Sequence, residues 1–118
     1  MSKPATAVVP MSTEAVLRNH LRAATVGVDA IMDDYTEQSV LITHDATYRG
    51  LAEIRVFFEG LFEQLPTGFF DGMVRMTREE IVGEVAYILW EGRPIISRAT
   101  DTLVVRNGKI LLQTFTTW

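Results

Sequence analysis

Cysteine is absent from the 118 residues. That removes disulfides, thiolate metal sites and cysteine nucleophiles together. Histidine occurs twice, which argues against a multi-histidine metal site. There is no block of basic residues and the net charge is −4, so the composition argues against a nucleic-acid partner. No stretch approaches the about 20 apolar residues of a membrane helix. The opening "MSKPATAVVP" lacks the long apolar run of a signal peptide, so a cytoplasmic location is the default expectation. A phosphate-cradling glycine loop, a Gly-x-Ser-x-Gly elbow and metal-ligand spacing are missing as well.

What remains is ordinary globular material, 47% apolar and 22% charged, in one domain able to bury about two-thirds of its unfolded surface. Residues 1–11 read as a loose tail, with Val8 and Val9 as the residues that would pin it, and 12–118 as a single domain. Ser12 or Thr13 can cap a helix whose first turn carries Glu14. Leu17, His20, Leu21 and Ala24 follow at the spacing of one helical face, and Gly27 breaks it. Residues 28–35 predict a short second helix burying Val28, Ile31 and Met32. "SVLIT" and "TYRG" are brief strands. Leu51, Ile54, Phe58, Leu61, Phe62 and Leu65, widened by Phe57, then mark a long helix stopped by Pro66.

After "PTGFFDG" the chain is strand-like to its end, broken at Gly83-Glu84, Gly92-Arg93-Pro94 and Asn107-Gly108. Asn-Gly between alternating apolar runs is a strong hairpin signal. Helices first and three or four long antiparallel strands last predict an α+β fold, with helices on one face of the sheet. A sheet that curls around the long helix would form a cone with an apolar pocket at its mouth.

Several positions carry chemistry. In the strand before Asn107, Asp101 shares a face with Ala99, Leu103 and Val105, so it should point inward. An apolar setting disfavours the anion and would raise its pKa. The competing reading pairs Asp101 with Arg98 or Arg49, or has it cap a backbone kink. His20 interrupts the apolar stripe of the first helix, where it can serve as donor, acid or base, or simply bond to a carbonyl. Tyr35 follows the acidic pair Asp33-Asp34, which reads as a solvated helix end, with Asp34 given little functional weight. Tyr48, Phe58, Phe62, Met73, Trp90 and Phe115 supply aromatic and soft surface suited to core or to an apolar pocket. On "AYILW" both faces are apolar, Ile88 and Trp90 on one, Tyr87 and Leu89 on the other, so something beyond the helices should cover it.

The stretches "VGVDAIMDDYTEQSVLIT", "YRGLAEIRVFFEGLF" and "TDTLVVRNGKILLQTF" resemble the nuclear transport factor 2-like superfamily, and within it the SnoaL-like and ketosteroid isomerase-like proteins. The likeness runs over about residues 12 to 118. It implies a cystatin-like cone of three N-terminal helices on a curved antiparallel sheet, and a homodimer through the outer sheet face. It also implies a small apolar ligand of polyketide or steroid type and, if the protein is an enzyme, isomerase or cyclase chemistry by proton transfer next to a carbonyl, with no cofactor or metal. Laid on that family, Asp101 falls where the resemblance implies a buried aspartate that an apolar site keeps protonated so that it can hydrogen-bond an oxyanion. His20 falls at or one residue beyond the family's phenolic donor, so that Asn19 and His20 stand in its place. "THD" falls on the proton-shuttling aspartate, leaving His44 and Asp45 as candidates for the base, or as a solvated turn. "LLQTFTTW" lacks the carboxylate of the limonene epoxide hydrolase-like relatives, which argues against that activity. The alternative within the same fold is a non-catalytic ligand-binding or dimerising module.

Overall fold

The computed structural model describes residues 11–118. The expected tail, including Val8 and Val9, lies outside them apart from Met11, which is exposed.

Helix α1 spans Thr13–Ala24, and the Ser12 side chain accepts the Ala15 amide at 3.1 Å as its cap. Its inward face is Val16, Leu17, His20 and Ala23. Helix α2 covers Val28–Met32, shorter than the sequence predicts. The next three amides bond three residues back, to Ala30, Ile31 and Met32, and this tighter turn ends the helix before Tyr35. Strands β1 (Val40–Thr43) and β2 (Thr47–Arg49) form a small hairpin, and α3 runs from Gly50 to Gln64. "PTGFFDG", to which the sequence assigns no element, contains a single helical turn, α4 (Phe69–Gly72). Phe69 pins it: its ring lies over Gly92, where a Cβ would come within 2.3 Å of the ring. A side chain at position 92 would evict that ring.

Four long strands follow: β3 (Arg75–Val82), β4 (Val85–Gly92), β5 (Ile96–Arg106) and β6 (Lys109–Thr117). Asn107 and Gly108, at φ 53° and 75°, make the tight turn between the last two. The sheet order is β2-β1-β6-β5-β4-β3. All neighbours are antiparallel except β1 and β6, which pair in parallel, so the sheet is mixed at one edge where an antiparallel sheet was expected.

Register shifts interrupt the β3–β4, β4–β5 and β5–β6 ladders. Each such irregularity increases local twist and bends the strand. The helices pack on the inner face, where Leu17, Ile31, Ile54, Leu103 and Ile110 are fully buried. The α+β architecture thus matches the expectation from the order of helical and strand patterns. Among the described residues no helix is long and apolar enough to cross a membrane.

Candidate functional site

Strand alternation alone turns Asp101 inward: Ala99, Asp101, Leu103 and Val105 are all buried. Its carboxylate then meets two donors from the flanking strands. Asp101 stands opposite Ile88 on β4 and Phe115 on β6. Trp90 and Gln113 are therefore its diagonal neighbours, a separation that long side chains can span. Trp90 Nε1 donates to Oδ1 at 2.8 Å and Gln113 Nε2 donates to Oδ2 at 2.9 Å. Neither Arg98 nor Arg49 pairs with Asp101: both are exposed, and Arg98 lies over the Trp118 ring.

Gln113 reaches this face because of a bulge. Val104 pairs with Leu112 but Val105 pairs with Ile110, leaving Leu111 as the extra residue. That insertion reverses the phase of β6, so Gln113 and Phe115 share the inner face with Ile110. The Gln113 side-chain oxygen in turn accepts a hydrogen bond from the Tyr35 hydroxyl. Tyr35, Gln113 and Trp90 thus all direct donors along a path that ends on Asp101. Burial holds the Asp101 carboxyl above the usual carboxylate range, although the two hydrogen bonds and the nearby His20 pull the other way. Burial, followed by the Asp34 and Asp101 carboxyls, holds the Tyr35 hydroxyl well above its ordinary value, so it remains a neutral donor.

A second buried carboxyl supports His20. Asp34 is 4% exposed and accepts Asn19 Nδ2 at 2.8 Å, with His20 Nδ1 at 3.1 Å from its other oxygen. The acidic pair is therefore not a solvated helix end as the sequence suggested. Its second member turns into the protein, while its backbone carbonyl accepts the Ile110 amide at 2.8 Å and ties this segment to β6. A carboxylate only accepts, so it fixes the proton of a neutral His20 ring on Nδ1 and leaves Nε2 with a free lone pair. Among the described residues Nε2 has no hydrogen-bond partner, and no fully buried side-chain nitrogen or oxygen is left unpaired. Nε2 therefore borders open space. The Tyr35 and Phe58 rings, themselves 5.9 Å apart, both make edge-type contacts with the imidazole.

That space is a cavity of about 180 Å³ between α1, α3 and the sheet. Its floor carries His20, Asp101 and Gln113 among the buried side chains of Phe58, Trp90 and Phe115. Half-buried Leu21, Leu61, Phe62, Phe70 and Met76 surround its outer part. Three polar side chains in an otherwise apolar chamber is the usual composition of a small-molecule site.

Of the residues singled out from the sequence, His20, Asp101, Phe58, Phe62, Trp90 and Phe115 meet around this cavity. Tyr35 lies behind it, acting on it through Gln113. Tyr48 packs on Phe57 outside the lining, and Met73 is exposed, its place taken by Met76. His44 and Asp45 face solvent in the turn between β1 and β2, their side chains 3.4 Å apart, because the Thr43 hydroxyl folds that turn onto itself. They are not part of the cavity wall. Asp34 and Gln113 are the functional groups that sequence reasoning missed. Among the described residues no group of three His, Asp or Glu side chains is arranged to hold a metal ion.

No protein-family model matches the chain, and no curated protein matches it in sequence. Solved structures do match in shape. An NTF2-like protein of unknown function from Cytophaga hutchinsonii superposes with a TM-score of 0.69 at 11% identity, over 95% of each chain. A candidate SnoaL-like polyketide cyclase from Shewanella denitrificans gives a TM-score of 0.67 at 14% identity, over 90% of each chain. A protein with a ketosteroid isomerase-like fold from Catenulispora acidiphila gives 0.65 at 13%, over 85% of this chain and 82% of that one. The chain has the NTF2-like fold shared by these proteins, and identities this low speak to fold alone.

Proposed function

We propose that this NTF2-like chain is a small-molecule enzyme that moves a proton next to a carbonyl group on an apolar ligand. The observation that carries the reading is the Asp34–His20 pair opening on the same apolar chamber as the buried Asp101. In this reading His20 Nε2 removes a proton from the carbon beside the carbonyl, and the electron pair of that C–H bond passes into the enolate. The imidazolium that forms lies against the Asp34 carboxylate, which offsets its charge. In its protonated form, which burial favours, the Asp101 carboxyl donates to the oxygen as negative charge collects there. A donor placed at a developing oxyanion is worth on the order of 3 kcal/mol. Return of the proton from His20 to a different carbon gives an isomerase. Attack of the enolate carbon on a second carbonyl of the same ligand, with that oxygen protonated, gives a cyclase. Neither step needs electrons or atoms beyond the ligand and these side chains. The base role belongs to His20 because His44 and Asp45 stand in solvent.

The test is hydrogen exchange in heavy water. Apolar ketones incubated with the protein should take up deuterium at the α-carbon, read by mass spectrometry. His20→Ala should slow the uptake about 10² to 10⁴-fold, the usual span of general-base catalysis, and Asp34→Asn should slow it by less. Binding of the ketones with no exchange across the panel would overturn the enzyme reading. It would leave a ligand-binding module, an outcome favoured by the satisfied hydrogen bonds at both Asp101 oxygens.

The outer sheet face is our proposed contact with a second copy of the chain. There Tyr87 and Leu89 are half-buried, and Val82 and Val85 are 66% and 39% exposed. Sedimentation showing only monomer at micromolar concentration would refute it.

A further inference from the structure

The cavity beneath Phe62 and Phe70 is small. An apolar cavity of about 150 Å³ accommodates benzene, and the 180 Å³ here is the same order. One ring fills it; a fused multi-ring skeleton does not. Just outside lies a second hollow of about 320 Å³, between the α1–α2 turn, the end of α3 and α4. The two share Ala24, Phe62 and Phe70. The Phe62 and Phe70 rings, 5.4 Å apart, form the partition between them. Neighbouring Phe69 is locked over Gly92, so α4 is held in place and passage depends on how these two rings turn.

The chambers differ in chemistry. The inner wall is apolar apart from its floor. The outer one includes Thr25, Thr67 and Asp71, and among the described residues no cation pairs with the Asp71 carboxylate. The Thr25 hydroxyl already donates to the Arg22 carbonyl, so its oxygen is left to accept. Together the two hollows reach the usual range of small-molecule sites, about 300 to 1,000 Å³.

We infer that the ligand has two parts: a single-ring carbonyl head held beside His20 and Asp101, and a narrow tail that passes Phe62 and Phe70 and ends in hydrogen-bond donors, hydroxyl or ammonium, in the outer chamber. This identification of the substrate class rests on the proton-transfer reading for which end is the head. The outer chamber favours donors because the Asp71 carboxylate and the Thr25 oxygen only accept, while the Thr67 hydroxyl can do either. The partition selects against bulk at the point where the tail leaves the ring.

Equilibrium binding tests it without turnover. Dissociation constants are measured by Trp90 fluorescence in a Trp118→Phe background for one-ring, two-ring and four-ring cyclic enones. One-ring enones carrying a linear tail that ends in methyl, carboxylate, hydroxyl or ammonium complete the series. The one-ring compound should bind and the four-ring compound should not. Hydroxyl and ammonium tails should tighten binding about tenfold over methyl, and the carboxylate tail should weaken it. Asp71→Asn should remove the ammonium advantage and keep that of the hydroxyl. Phe70→Ala, which opens the partition, should admit the two-ring enone. If Phe70→Ala fails to fold, contacts between tail protons and the Thr67 methyl in the unaltered protein give the same information by NMR. Four-ring binding equal to one-ring binding, indifference to the tail's end, or no binding by any member would each overturn the inference. Correct binding selectivity with no α-carbon exchange would overturn the catalytic reading alone.

Discussion

Replacing Trp90 by phenylalanine removes one hydrogen-bond donor and keeps an aromatic ring stacked on Phe115, whose centroid is 6.2 Å away. The lost donor is the indole N–H that reaches Asp101 Oδ1 at 2.8 Å. A buried acceptor left without its partner costs about 1 to 3 kcal/mol, more when it is charged. We expect a loss of about 2 kcal/mol at alkaline pH, or about 8 °C in Tm for a domain of this size.

The pH dependence is the sharper part. Asp101 titrates above the ordinary carboxylate range because of burial. Between that ordinary range and its folded value, the folded chain holds a proton that the unfolded chain has released. Stability therefore falls as pH rises through this interval and is level beyond it. The Trp90 bond favours the anion and so narrows the interval. Without it the Asp101 carboxyl moves further up and the interval widens. The penalty for Trp90→Phe should then be small in acid and grow with pH. Thermal denaturation from pH 4.5 to 9 measures it, and the same substitution in an Asp101→Asn background should lose its pH dependence. An equal Tm loss at both ends of the range would refute the assignment of Asp101 as a buried carboxyl held partly in check by the indole.

Other substitutions follow from single contacts. Gly92→Ala should destabilise by about 1 to 3 kcal/mol in chemical denaturation, since its Cβ would collide with the Phe69 ring. Ser12→Ala, which removes the α1 cap, should cost about 1 kcal/mol in the same assay. Arg18 bonds Glu79 through two nitrogens at 2.6 and 2.5 Å, and this pairing holds the Glu79 carboxyl below its usual value. With Arg18 about half exposed, Glu79→Gln should cost no more than about 1 kcal/mol. That cost should fade in high salt and as pH falls through the lowered Glu79 value, where the native carboxylate is protonated. His44→Ala should alter neither ligand binding nor stability beyond about 0.5 kcal/mol, as both its ring and Asp45 face solvent; a loss of α-carbon exchange in this variant would return the base to that turn.

Some of the site could be read from one line of residues, and some could not. Asp101 was legible because the alternation from Ala99 to Val105 is unbroken on β5. Gln113 was not, since alternation counted from Ile110 sends it outward, and nothing local marks Leu111 as an inserted residue. His20 stood out as a polar residue on an apolar helical face. Its partner Asp34 did not, because acidic residues at helix ends are commonly solvated. What buries this one is a contact made 14 residues away along the chain. His44 and Asp45 failed for the opposite reason: their residue types suit a base, but a tight turn turns both outward. The fold was easier, because it depends on the order of helical and strand patterns, which no single bulge disturbs. The parallel pairing of β1 with β6 lay beyond that order, since strand patterns carry no record of direction.

That parallel pairing also shapes how the molecule assembles. Val40–Thr43 and Leu112–Phe115 meet across some seventy intervening residues, so closing this ladder is entropically slow compared with zipping the hairpins. The strand onto which β1 closes carries Gln113, which the β5–β6 hairpin has by then set beside Asp101. Until β1 docks, Gln113 lacks its bond from the Tyr35 hydroxyl and the chamber lacks the wall that α3 supplies. Hydrogen-exchange kinetics during refolding should accordingly show the β4–β5 amides protected before those of β1, with ligand recognition arriving only alongside the latter.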